Sequence, residues 1–157
     1  MKYTLSCLVD NVPGVLARIA RTFAQEKINI LSIAAGEIEE EDKSRMTIVV
    51  DADEPTVKRA EEHLLGIEEV IKLVDLKEGE LIDMELLLIK IHIVPEKIPQ
   101  ILQIAELFNA EVIAVSETAM VLALHSEEKR VNGLVRMLKQ YGIEEMSRSG
   151  RIAVSAP

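Results

Sequence analysis

Few side chains in this 157-residue sequence are suited to covalent chemistry, and those few are scattered. The histidines are His63, His92 and His125, and the one cysteine is Cys7. None belongs to a recognisable Ser/His/Asp or Cys/His set, in which a nucleophile needs a base within reach and a third group to orient that base. One cysteine excludes internal disulfides, a multi-cysteine zinc site and a C-x-x-C metal-transfer loop. His92 and His125 fall on predicted strands without an H-x-H or cysteine neighbour, so a metal-responsive protein built on them stays only as an alternative. Cys7 alternates with Tyr3, Leu5 and Val9 in an apolar strand pattern, and its expected place is a protein core.

What remains is recognition without reaction. The stretch "DNVPGVLARIARTF", residues 10–23, puts Asn11, Pro13 and Gly14 between a short strand and an apolar-periodic helix. A glycine there lets a ligand touch backbone, because no Cβ stands in the way. Free N–H groups and the positive end of the helix dipole suit a carboxylate. The stretch is no phosphate loop, since it lacks both G-x-G-x-x-G and a G-K-[ST] ending. Asn11 is read as the helix cap, with Pro13 in the first helical turn. The formal net charge of −9 and the 3% aromatic content leave neither the basic patch nor the stacking platform that nucleic acid requires.

Period switches set out the elements that must position this stretch. Tyr3–Val9 reads as a strand, and Val15, Leu16, Ile19, Ala20 and Phe23 as the inner side of a helix. Strand character returns over Ile28–Ile38, and "EIEEEDK" reads as a solvated hairpin tip. Ser44–Asp51 forms the next strand. A helix from Asp53-Glu54-Pro55 then carries Val57, Ala60, Leu64 and Leu65 on one face, and Val70–Leu76 closes the unit. The order is βαββαβ.

The polar "KEGE", residues 77–80, is the expected linker. Beyond it the order repeats. A strand over Ile82–Val94 precedes a helix over Ile98–Phe108, with Ile101, Leu102, Ala105 and Phe108 inward. Paired strands over Glu111–Val115 and Met120–His125 follow, then a helix over Glu127–Tyr141 and one strand over Ile143–Val154. The predicted architecture is α+β: two ferredoxin-like βαββαβ domains in tandem, over 1–76 and 81–157. Each sheet would have a helix-free face and open edges, and dimerisation is the expected remedy. No apolar run reaches membrane-spanning length and no signal-peptide layout opens the chain, so the expected compartment is the cytoplasm.

At "NVPGVLARIARTF", "INILSI" and "SRMTIVV" the chain resembles the small, regulatory subunit of acetohydroxyacid synthase (acetolactate synthase), its first half being similar to an ACT domain. The resemblance extends through "ELLLIKI" and "SRSGRIAV" and covers nearly the whole chain. It implies a non-catalytic protein that activates a thiamine-diphosphate-dependent catalytic subunit and makes it sensitive to valine or another branched-chain amino acid. It also implies a homodimer through side-by-side ACT domains, with the effector between the helix start of one protomer and the second strand of the other. Carried over, that nominates Asn11, Gly14 and Leu16 from one chain with Asn29 and Ile30 from its mate. No cofactor of the chain's own is implied; thiamine diphosphate, Mg and FAD would belong to the catalytic subunit. The chain departs from many relatives at Glu26-Lys27, where they carry Arg-Gly, and in the hairpin "AAGEIEEEDK", which lacks the usual proline-bearing turn. A free-standing ACT-type amino-acid sensor without a synthase partner is the other alternative.

Overall fold

The computed structural model describes residues 1–157. It divides into two units: residues 1–83 together with 151–157, and residues 84–150. The first is built from β1 (Lys2–Asp10), α1 (Val15–Gln25), β2 (Asn29–Glu37), β3 (Lys43–Asp51), α2 (Glu54–Leu65) and β4 (Val70–Leu76). Its strands lie in the order β2-β3-β1-β4, each pair antiparallel. This is the ferredoxin-like arrangement expected from the element order.

Strand alternation decides which face carries the helices. Leu5, Cys7 and Val9 of β1 point to the same side as Met46, Ile48 and Val50 of β3, and all are buried. Ile19 and Phe23 of α1 and Val57 and Leu64 of α2 complete this core. Two helical positions expected to face inward do not. Leu16 is 48% exposed and Leu65 58% exposed, because each follows a buried neighbour and one residue turns a helix by about 100°. The α2 start is closed by Asp53, whose carboxylate accepts from the Thr56 amide at 2.9 Å.

The second unit repeats the order. It contains most of β5 (Leu81–His92), then α3 (Ile98–Phe108), β6 (Glu111–Val115), β7 (Ala119–Ser126), α4 (Glu128–Leu138) and β8 (Ile143–Arg148). Single 3-10 turns at Pro95–Lys97 and Lys139–Tyr141 precede α3 and follow α4. The strand order is β6-β7-β5-β8. Leu87, Ile89 and Ile91 pack with Leu122, Leu134 and Leu138 in its core. Leu102, expected to face inward, is 44% exposed, as are Leu86 and Leu88 to a similar degree on the helix-free face.

The expected last strand is two strands. It breaks at Ser149-Gly150, where Gly150 has φ 78°, and resumes as β9 (Ile152–Ser155). Across the break the Ser149 amide donates to the Leu86 carbonyl at 3.0 Å, and Ser149 Oγ accepts from the Leu86 amide at 2.9 Å. The serine side chain thus supplies the acceptor that the kinked backbone withdraws.

β9 pairs with β5, as a domain over 81–157 would have it, yet residues 151–157 pack with the first unit, and the division falls at Asp83 beyond the Lys77–Glu80 turn. The physical reason lies on the helix-free face of the first sheet. Thr4, Thr47 and Val49 are buried there. The Arg151 guanidinium donates to Thr4 Oγ1 at 2.7 Å and pairs with Asp83 at 2.9 Å. The Ala153 amide donates to Thr47 Oγ1 at 3.3 Å. A face expected to await a second molecule is thus partly covered by the chain's own residues. No helix in either unit is long and apolar enough to cross a membrane.

Candidate functional site

Residues 12–15 form a turn with proline second and glycine third. Gly14 has φ 90° and ψ −11°, the values a type II turn requires at that position, where only glycine avoids a Cβ penalty. The Val15 amide reaches back to the Val12 carbonyl at 3.5 Å, a loose closure. Gly14 is then the cap residue of α1, its carbonyl accepting from the Arg18 amide at 3.1 Å. This corrects two expectations. Asn11 lies three residues before the cap and does not cap the helix, and Pro13 sits in the turn rather than the helix.

A glycine cap has no side chain to offer, so the α1 start stays open. No side chain caps it, and no acidic residue lies in its first turn. The first amides of a helix have no partner within it, and those of Leu16 and Ala17 find no backbone acceptor elsewhere. An ideal Cβ built on Gly14 would meet nothing within 4 Å. The glycine is therefore demanded by backbone conformation, with clear space before it. α2 differs at both points, having the Asp53 cap and Glu54 in its first turn.

Asn11 is tied to the β2–β3 hairpin. Its amide donates to the Asp42 carbonyl at 2.8 Å, and its side-chain Nδ2 to Glu37 Oε1 at 3.2 Å. Beside it Asp10 pairs with Lys43 at 2.5 Å; that contact holds the Lys43 ammonium above its ordinary pKa. Arg18, on the outer side of α1, pairs with Glu69. The exposed side chains of Val12 and Leu16 give this polar end its apolar neighbours.

Asn29 and Ile30 lie at the opposite end of the same sheet. Asn29 is level with Asp51 and Lys2, whereas Glu37 is level with Ser44, near the end of β1. Asn29 is exposed, and Ile30 packs partly against the core. The nine residues of β2 separate the two groups by about 26 Å at the usual strand rise. One chain brings Asn11, Gly14 and Leu16 together and leaves Asn29 and Ile30 apart from them. Sequence reasoning missed Glu37 and Asp42 as partners of Asn11, since both fall in an acidic run that reads as solvated surface.

The histidines do not gather. His92 stands opposite Ala119 and His125 opposite Leu86, at the two ends of the β5–β7 pair. His63, on α2, is exposed and faces Glu26. No three His, Cys, Asp or Glu side chains come close enough to hold a metal ion.

An uncapped helix start on a ferredoxin-like sheet, with a second such unit in the same chain, defines the class: a tandem ferredoxin-like protein with an open helix start in its first unit. The comparisons narrow this. Residues 5–72 match the model of the AHAS small subunit-like ACT domain, and residues 84–157 that of the small subunit of acetolactate synthase. The probable acetolactate synthase small subunit of Archaeoglobus fulgidus is 37% identical, over 98% of this chain and 96% of that protein. The acetolactate synthase small subunit of Mycolicibacterium smegmatis is also 37% identical, over 98% and 90%. The crystal structure of the acetolactate synthase small subunit from Thermotoga maritima superposes with a TM-score of 0.92 at 30% identity, covering 99% of this chain and 98% of that one. The chain belongs to the acetolactate synthase small-subunit family.

Proposed function

We propose that this chain is the non-catalytic regulatory subunit of an acetolactate synthase, working in the cytoplasm. It activates a thiamine-diphosphate-dependent catalytic subunit and confers feedback inhibition by valine or another branched-chain amino acid. The observation that carries the effector reading is the open α1 start at Gly14, placed beside Asn11 within a chain of this family. Helix amides and the dipole take the effector carboxylate. The alkyl group meets Leu16 of the same protomer and Ile30 of its mate. The chain brings no cofactor of its own.

The assembly that completes this site is a homodimer. β2 is an edge strand in the order β2-β3-β1-β4, so its outer backbone groups are free to pair. Two-fold antiparallel pairing of two such edges sets the start of one β2 beside the end of the other. Asn29 and Ile30 of one protomer then approach Asn11 and Gly14 of its mate, which removes the separation within a single chain. The effector shifts the dimer between arrangements only by its difference in affinity for them. Valine, leucine and isoleucine differ at this pocket by methyl or methylene placement, worth only ~1–3 kcal/mol.

The test is reconstitution. The chain is mixed with an acetolactate synthase catalytic subunit, and acetolactate formation is followed with and without valine. The expected result is activation by the chain and its reversal by valine. No change in rate on adding the chain, with no recovery of the catalytic subunit in a pulldown, overturns the reading in favour of a free-standing sensor.

A further inference from the structure

A side-chain amide presents a donor on one side and an acceptor on the other, and the neighbour of Asn11 decides which faces where. Asn11 Nδ2 donates to Glu37 Oε1 at 3.2 Å. An ionised carboxylate only accepts, so Glu37 holds the NH2 end and turns Oδ1 away from itself. Glu37 pairs with no lysine, arginine or histidine of this chain, whereas its neighbour Lys43 is already engaged by Asp10. The Asn11 backbone is fixed independently, through its amide to Asp42. The amide therefore has a set position and a set direction.

We infer that Glu37 is a positioning residue for ammonium recognition: it orients Asn11 so that Oδ1 accepts from the α-ammonium of the effector. This rests on the effector reading above and adds what the helix start cannot supply. Backbone amides and a positive dipole end attract any small carboxylate. An acceptor held beside them, backed by an unneutralised carboxylate, selects those carboxylates that also carry an ammonium group. Glu37 thus makes the site specific for an amino acid over the corresponding plain acid.

The experiment is calorimetric titration of the full chain with L-valine and with 3-methylbutanoate, which lacks only the ammonium group. The acid is measured directly or by competition against valine. The wild type is expected to prefer valine. Glu37→Gln keeps the side-chain length but lets the facing group donate as well as accept, so Asn11 is free to turn. Glu37→Gln and Glu37→Ala should weaken valine about tenfold, the scale of one hydrogen bond to a charged group. Binding of 3-methylbutanoate should stay unchanged, and Glu37→Asp should regain part of the preference. Sedimentation of each variant checks that the assembly is the same as the wild type's. Equal weakening of both ligands, or no weakening of valine, overturns the proposal. Loss of valine binding in Gly14→Asp alongside a silent Glu37→Gln overturns this proposal alone. A wild type that binds no branched-chain amino acid overturns the effector reading and this inference with it.

Discussion

Gly14 is tied to its place by dihedral angle, not by crowding, and this makes its substitution informative. Its φ of 90° strains most side chains, but asparagine and aspartate tolerate this region better than others. Gly14→Asn and Gly14→Asp therefore place similar side chains on a similar backbone and differ in charge. Calorimetry should find valine binding at least about tenfold weaker in the aspartate variant than in the asparagine variant, from repulsion of the ligand carboxylate. Circular dichroism should find both folded. Cys7 makes the opposite kind of prediction. Burial pushes its thiol up to about 11, so almost no thiolate exists at neutral pH. A disulfide reagent should leave the native protein unmodified and react promptly after denaturation. Cys7 was legible from alternation alone, because a buried strand face repeats every second residue. The direction of the Asn11 side chain was not, since the contact that turns it lies 26 residues away in Glu37.

The elements were read correctly wherever periodicity ran uninterrupted, as at β4, α3 and β6, and misread where one residue changed the local geometry. At α1 the proline and glycine form a complete turn before the helix, which moves the start to Val15 and takes the cap from Asn11. At the last strand Ser149 and Gly150 kink a run that alternates well enough to pass as continuous. The two helix starts of the first unit also differ in what pH does to them. The hydrogen bonds from Thr56 lower the Asp53 carboxyl below its ordinary pKa. A lowered native pKa gives stability that is fully present above the unfolded value and lost as pH falls through the native one. Thermal melts should therefore find Asp53→Ala less stable than wild type at neutral pH, with the gap closing in acid below the ordinary carboxylate range. The open start at Gly14 has no such group, and Gly14→Ala should show no corresponding closure.

At the scale of the whole molecule, the two groups of residues proposed to hold the effector stand at opposite ends of one sheet, so a shared site has a genetic signature. Gly14→Asp and Asn29→Ala should each abolish or weaken valine binding alone. Mixed and allowed to exchange protomers, they should regain about a quarter of the sites, because each random heterodimer holds one site free of both changes. Calorimetric stoichiometry checks this; failure to regain any site would place Asn11, Gly14 and Asn29 in separate roles. The tandem fold was legible because both halves repeat one order of periods. The allegiance of residues 151–157 was not, because it depends on Arg151 and Ala153 finding Thr4 and Thr47 nearly 150 and just over 100 positions earlier. That allegiance has a consequence for how the protein is made. On a chain emerging from the ribosome, residues 84–150 are all made before residues 151–157, and until those arrive Thr4 and Thr47 of the first sheet lack their Arg151 and Ala153 partners. The unit begun first is thus not finished first, and throughout translation of residues 84–150 its helix-free face is open to a chaperone.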